Sequence, residues 1–148
     1  MANERSFARL GANRIDLEIA LQDRLDDADA LFLARRYASS ISMGLYALEI
    51  CLKVAICQRL NLEALPTAFE VHHFQGLLVL SGLKKPMQDP AAAHVLANWD
   101  SVTSNGPQHV NDLRYLPSYR WVESDARELL DRLQSPSDGV LTWITAQL

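Results

Sequence analysis

Arginine and aromatic side chains cluster in the segment NDLRYLPSYRW, near the C-terminal quarter of the chain. Guanidinium groups make forked hydrogen bonds with phosphate oxygens, and aromatic faces stack on nucleobases. An arginine stacked on a neighbouring ring preorganises such a site. These residue types favour a phosphate-plus-base binding site built from Arg114, Tyr115, Tyr119, Arg120 and Trp121. The alternative is that Trp121 and one tyrosine pack on the core while both arginines are solvated.

Glu49 and Lys53 form a second candidate group, four residues apart in the most apolar part of the chain. On a helix this spacing places both side chains on one face, in the order that favours an ion pair. With Ser42 and Tyr46 they form a narrow polar stripe on an otherwise apolar helix. Two interpretations are open. The pair is either a surface ion pair worth about 0.3 to 0.5 kcal/mol, or it contains a partly buried lysine that faces an anionic ligand.

The histidines and cysteines do not have the spacing of a metal site. Adjacent histidines on a helix point about 100° apart, and the chain contains neither HExxH nor a Cys/His array. We therefore predict no metal and no cofactor. The motifs GxSxG, GxxxxGK[ST] and GxGxxG are also absent, which gives no support to an acyl-transfer or phosphate-loop enzyme. Cys51 and Cys57 are predicted to be buried free thiols. The four histidines are His72, His73, His94 and His109.

Length and charge limit the possible classes of protein. A chain of 148 residues is expected to form one domain with its own core. The net charge of −4 argues against a duplex-DNA partner. The N-terminus has no apolar signal region, and charged residues interrupt the longest apolar stretch, so we predict no membrane association and a cytoplasmic location. Residues 1–12 are expected to be a flexible N-terminal arm, and residues 13–148 a single helical domain.

Apolar periodicity predicts helices along the whole of this domain. The first helix is expected from about Asn13 to Ala34. The second, from Tyr37 to Leu60, has two apolar faces and should therefore lie at the centre of a bundle. A third helix begins either at Ala68, after a Thr67/Glu70 capping box, or near His72 or His73. We prefer the later start, with a stop at Gly82.

The C-terminal half is predicted to contain three more helical segments. Asp89-Pro90 caps a short helix that runs to about Trp99. A long connection follows over residues 100–118. An amphipathic helix then carries Ala126 and Leu130, and a capping signature over residues 135–138 opens the last helix. The fold class is all-α, an up-and-down four-helix-type bundle with five to six helices.

Taken in order, several of these features resemble the HEPN family, the higher-eukaryote-and-prokaryote nucleotide-binding domains. The segment YASSISMGLYALEICLKVAI looks like that family's central helix, with its E-x-x-x-K element at Glu49 and Lys53. The segment HHFQGLL is similar to the His-x-Phe/Leu start of the family's third helix. Trp99 and the pair Arg114 and Tyr115 look like the tryptophan and the arginine–tyrosine pair of one HEPN branch. The pattern covers most of the chain.

The resemblance implies a bacterial or archaeal cytoplasmic protein that is commonly a homodimer. HEPN domains often occur beside a minimal nucleotidyltransferase, in toxin–antitoxin or other defence settings. Many are metal-independent ribonucleases, which use an arginine followed four to six residues later by a histidine. No histidine follows an arginine at that spacing here, and His109 instead precedes Arg114 by five residues. Histidine is the natural general acid or base near neutral pH, so its absence argues against that mechanism.

We therefore predict a non-catalytic HEPN-like domain that binds a nucleotide, RNA or a nucleotidyltransferase partner. The ligand-binding candidates are Glu49, Lys53, His72, His73, Arg114 and Tyr115. Two alternatives are open: an RNA-cleaving toxin that uses Arg114 with His73 or His109, and a structural dimeric adaptor. In the leading hypothesis Tyr115 and Trp121 anchor the loop, and Arg114 points toward a shared cleft. The alternative arrangement is that Arg114 pairs with Glu49 and holds the loop down.

Overall fold

The computed structural model describes residues 13–104, 110–115 and 117–148, and there the protein is an all-α helical bundle. The predicted fold class is confirmed. The α-helices within these ranges are α1 (Arg14–Leu33), α2 (Tyr37–Arg59), α3 (Phe74–Leu80), α4 (Lys84–Met87), α5 (Ala93–Ser104), α6 (Glu123–Gln134) and α7 (Val140–Gln147). Short 3-10 turns lie at Thr67–Phe69, Pro90–Ala92, Val110–Tyr115 and Ser118–Arg120. The helix number exceeds the predicted five to six because the short helix α4 was not anticipated, while the predicted arm over residues 1–12 lies outside the described ranges.

The helix α1 begins and ends at residues that satisfy its free backbone groups. The Asn13 side chain accepts a hydrogen bond from the backbone N–H of Ile15, as an N-cap does. At the other end Arg35 has a φ of 61°, and the Arg36 N–H donates to the Leu31 carbonyl. This is a left-handed helix terminus in which arginine occupies the position that glycine usually takes. The predicted bounds of about Asn13 to Ala34 are confirmed.

The helix α2 is the centre of the bundle, as its two apolar faces predicted. It packs against α1, α3, α6 and α7 and against the 3-10 turns Val110–Tyr115 and Ser118–Arg120. By length and composition α2 is the one helix in the described part of the chain that qualifies for crossing a membrane, but 83% of its most apolar stretch is buried in the protein. That burial is the pattern of a core helix in a soluble protein.

Small residues on α2 allow the neighbouring helices to approach closely. Ser40 is fully buried, and its hydroxyl donates to the Ala28 carbonyl of α1 over 2.7 Å. A Cβ placed on Gly44 would lie 3.2 Å from Leu133 of α6, closer than ordinary van der Waals contact. The contact between α1 and α2 therefore includes a buried hydrogen bond as well as apolar packing.

The later start of the third helix is confirmed, because α3 begins at Phe74 with His73 as its N-cap. The residues of the alternative start form only the 3-10 turn Thr67–Phe69. Asp89 caps the Pro90–Ala92 turn as predicted. The expectation that the next helix ends near Trp99 is wrong, because α5 continues to Ser104. Buried Val102 and Thr103 extend its core face past the tryptophan.

The last two helices complete the core. Ala126, Leu130 and Leu133 of α6 are buried, and so are Val140 and Ile144 of α7. The predicted capping signature over residues 135–138 is wrong, because the N-cap of α7 is Gly139 and no side chain caps it. Leu148, at the C-cap of α7, is exposed.

Candidate functional site

The polar stripe on α2 carries a compact group of three charged or titratable side chains. Lys53 Nζ lies 2.6 Å from Glu49 Oε1, and His72 Nδ1 lies 2.7 Å from the same oxygen. Because a carboxylate oxygen only accepts hydrogen bonds, His72 must carry a proton on Nδ1 in this arrangement. The carboxylate thus fixes the orientation of the imidazole ring and joins α2 to the segment that precedes α3. We refer to Glu49, Lys53 and His72 as the α2 triad.

Burial separates the α2 triad from an ordinary surface ion pair. Glu49 is 6% exposed and Lys53 is 9% exposed. The interpretation of a surface pair worth a few tenths of a kcal/mol is therefore wrong. Two charges taken out of water cost several kcal/mol each before their mutual attraction and hydrogen bonds offset that cost. The Lys53 ammonium already has a carboxylate partner, so it does not present an unpaired cation to a ligand.

The two adjacent histidines have different roles in the structure. The His72 side chain is 42% exposed, so the part of its ring opposite the Glu49 contact reaches solvent. His73 instead caps α3, where its Nδ1 accepts from the Gly76 N–H over 3.3 Å. Among the predicted site residues, His73 therefore has a structural contact that explains its presence without a ligand.

Arg114 and Tyr115 end the 3-10 turn Val110–Tyr115, and both are exposed. The Arg114 guanidinium carbon lies 5.1 Å from the centroid of the Tyr115 ring, a cation–π distance. Leu113, immediately before them, is buried at 3% exposure and fixes the turn against the core. Tyr115 is 71% exposed, so the expectation that it anchors this segment is wrong; Leu113 is the anchor.

The neighbouring 3-10 turn, Ser118–Arg120, adds a second exposed aromatic residue. Tyr119 is 84% exposed, and Arg120 beside it is exposed as well. Trp121 follows and packs partly buried against the core, as the sequence predicted. Tyr119 and Arg120 were part of the sequence pattern but not among the selected ligand-binding candidates. The signal that identifies them is their exposure, which the pattern alone does not show.

Five of the six predicted ligand-binding candidates thus form two separate groups: Glu49, Lys53 and His72 in the α2 triad, and Arg114 with Tyr115 on a 3-10 turn. Both 3-10 turns pack against α2, which carries Glu49 and Lys53. Glu49 pairs with Lys53 and His72, and no ion pair joins it to Arg114 in the described ranges. No group of three or more metal-ligating side chains lies close enough to hold an ion in the part of the chain that the structure describes. His109, an alternative candidate, lies outside those residues.

A separate open cleft of about 790 Å³ lies along α6 and is also lined by Asn98 of α5 and by Asp138 in the α6–α7 turn. Arg132 crosses its floor, where it donates to Glu128 and to the Asn98 side-chain oxygen. The Asn98 amide in turn donates to the Asp138 carbonyl. These groups satisfy one another, and none of the predicted site residues lines this cleft. Its polar contacts hold α5, α6 and the α6–α7 turn together.

Comparison with known proteins gives no relative on which to base an identification. No protein-family model matches the chain, and neither the curated proteins nor the solved structures contain a match. The α2 triad and the exposed arginine–tyrosine turns are the features of the described residues that point to a function.

Proposed function

We propose that this protein is a non-catalytic HEPN-like domain that binds a nucleotide or RNA through Arg114 and Tyr115. The sequence resemblance supports the family assignment, and the order of the helices is consistent with it. In the same proposal the protein is a cytoplasmic homodimer that acts with a nucleotidyltransferase partner, in a toxin–antitoxin or other defence setting.

The observation that carries the binding proposal is the exposed cation–π pair. Tyr115 is 71% exposed, so it contributes little to the core. The Arg114 guanidinium lies 5.1 Å from the centroid of the Tyr115 ring and forms no ion pair with a carboxylate in the described residues. Such a pair offers one planar face for a base and five N–H donors for phosphate oxygens. Both 3-10 turns pack on α2, the helix that also carries Glu49 and Lys53.

The test is direct binding to purified protein. Fluorescence anisotropy with labelled RNA detects RNA binding, thermal shift with a panel of nucleotides detects nucleotide binding, and at least one of the two should be positive. The Arg114→Ala/Tyr115→Ala variant should lose that binding while keeping the unfolding temperature, because both side chains are exposed. A Lys84→Ala/Lys85→Ala variant, which removes two exposed charges from α4, serves as the matched control. Equal binding by wild type and the Arg114/Tyr115 variant would refute the site assignment.

One observation favours a second candidate function, RNA cleavage. A nuclease site of this kind requires an oriented histidine, and here Glu49 orients the half-exposed ring of His72, not that of His73. In that reaction His72 Nε2 would take the proton of a 2′-hydroxyl. The 2′-oxygen would bond to the adjacent phosphorus, the bond to the 5′-oxygen would break, and the 5′-oxygen would take a proton from water, while His72 would return its own proton to solvent.

Cleavage is separable from binding in the same assay. RNA incubated with the wild-type protein should stay intact if the domain only binds. Cleavage that disappears in His72→Ala but persists in His94→Ala, a variant of an exposed histidine on α5, would replace the binding proposal by the nuclease one. Neither binding nor cleavage would favour the structural adaptor.

A further inference from the structure

We infer that Tyr115 and Tyr119, with Arg114 and Arg120, form an open platform that binds unpaired single-stranded nucleic acid by stacking two of its bases. This inference deepens the proposed function and rests on it. It adds Tyr119 and Arg120 to the site and selects a single strand as the ligand, in place of a mononucleotide or a duplex.

The two tyrosine rings have the exposure of stacking surfaces. Tyr115 is 71% exposed and Tyr119 is 84% exposed, on two successive 3-10 turns. Large aromatic side chains usually bury most of their area, so two rings this exposed within five residues are unusual for packing alone. Because four residues span at most about 14 Å, the two rings lie within reach of one short oligonucleotide.

The core fixes both turns, which makes the platform rigid. Buried Leu113 holds the first turn, and partly buried Trp121 holds the second. Both turns pack on α2, and Pro117 is the N-cap residue of the second turn. Rigid aromatic anchors lose little conformational entropy on binding. Leu113 and Trp121 thus pack on the core and hold the turns, whereas the rings of Tyr115 and Tyr119 contribute little to the core.

The degree of exposure decides between the possible nucleic-acid ligands. Sites for small molecules enclose most of the ligand, and rings that are mostly in solvent cannot enclose a mononucleotide. A duplex hides its base faces inside the stack, so it offers nothing for the tyrosines to stack on. A single strand presents unpaired bases, and base–aromatic stacking is tolerant of sequence.

The small number of positive charges on the platform also favours a single strand over a duplex. Arg114 and Arg120 supply two positive charges, and the exposed Asp112 on the first turn removes part of this attraction. Duplex binders commonly neutralise about 6 to 10 phosphates, which this surface cannot do within a chain of net charge −4. Stacking must therefore supply most of the affinity, and binding should depend only weakly on salt. For two phosphate contacts to a single strand, affinity should fall about sevenfold between 50 and 200 mM salt.

The experiment is a fluorescence anisotropy titration of the full chain with labelled eight-nucleotide single strands of RNA and of DNA, a duplex of the same sequence, and AMP as competitor. Tyr115→Ala and Tyr119→Ala should each weaken single-strand binding by about fivefold or more. Tyr115→Phe and Tyr119→Phe keep the ring and should bind as the wild type does. The RNA and DNA arms show whether the ribose hydroxyl contributes.

The outcomes separate this inference from the function on which it rests. Weaker binding in both alanine variants with binding retained in both phenylalanine variants supports the platform. If AMP competes as strongly as an unlabelled single strand, or if Tyr119→Ala binds normally while Tyr115→Ala does not, nucleotide binding holds but the two-ring platform is wrong. Tighter binding of the duplex also overturns it. If no nucleic acid or nucleotide binds the wild type, the proposed function fails as well.

Discussion

At the residue scale, the Glu49 carboxylate determines whether the buried charges of the α2 triad stabilise or destabilise the protein. Its Oε1 accepts from both Lys53 and His72. Glu49→Ala would leave the Lys53 ammonium buried without its carboxylate, and we expect a loss of about 3 to 5 kcal/mol in the free energy of unfolding. Urea unfolding followed by circular dichroism measures this loss.

Two further variants show whether the charge or the packing matters. Glu49→Met/Lys53→Met removes both charges at similar volume and should cost less than Glu49→Ala. Glu123→Ala, which breaks the exposed Arg127–Glu123 pair on α6, should cost at most about 1 kcal/mol. A Glu49→Ala loss no larger than that of Glu123→Ala would show that the triad contributes no more than a surface pair.

The sequence predicted the pairing of Glu49 and Lys53 but left open whether the pair is buried. The pairing follows from the spacing of four residues on one helix, which is a local property. The burial depends on the segments that cover α2, and His72 lies 23 residues further along the chain. In the same way the pattern selected Arg114 and Tyr115, yet only the position of buried Leu113 shows that both side chains face outward. Contacts between distant parts of the chain decide these points.

Cys51 gives the chain a stability that depends on pH in the alkaline range. Burial raises the pKa of the Cys51 thiol from 9.0 to about 12, although a hydrogen bond with Thr145 opposes the shift. Between these values the unfolded chain loses this proton and the folded chain keeps it. The folded state then binds more protons, so its stability falls as pH rises through that range.

A cysteine variant isolates this effect from the other groups that titrate at alkaline pH. Cys51→Ala removes the thiol, so the stability advantage of wild type over the variant should be smaller at pH 10 than at pH 8, by about 1 kcal/mol. Unfolding in urea at both pH values provides the comparison. A constant difference would mean that the thiol ionises equally in both states.

At the scale of the elements, the positions of most helices followed from periodicity, whereas several of their ends did not. The end of α3 at Gly82 was predictable, because glycine adopts its φ of 76° without strain. The end of α1 was predicted from periodicity alone, because the residue after its C-cap is Arg35, whose φ of 61° is unusual for arginine. The end of α5 was misjudged because residues 101–104 contain polar residues that usually indicate turns.

The start of α3 allows a test of whether His73 serves structure or ligand. Its Nδ1 accepts from the Gly76 N–H, so His73→Ala should lower the free energy of unfolding by about 0.5 to 1 kcal/mol. His73→Asn restores a capping acceptor and should recover most of that loss. Thermal and urea unfolding measure both variants, with His94→Ala as the control. Unchanged stability together with lost RNA binding would instead assign His73 to the ligand site.

At the scale of the whole molecule, α2 is the helix around which the rest of the bundle packs. It is long and apolar, and the rest of the protein buries 83% of its most apolar stretch. Leu48 near its middle is fully buried, whereas Leu33 at the end of α1 is 82% exposed. We expect Leu48→Ala to lower the free energy of unfolding by about 2 to 5 kcal/mol, and Leu33→Ala to change it by no more than about 0.5 kcal/mol.

Because a domain is stable by only about 5 to 15 kcal/mol, Leu48→Ala should remove a large part of the total and still leave a folded protein. Urea unfolding should be followed both by circular dichroism and by fluorescence, to which the buried Trp99 contributes from the core. If one core is built around α2, the two signals change together in each variant. Separate transitions, or equal effects of the two substitutions, would mean that α2 is not the shared core of the bundle. A single cooperative transition in both variants, with the larger loss for Leu48→Ala, would instead show that the helices packed on α2 unfold as one unit.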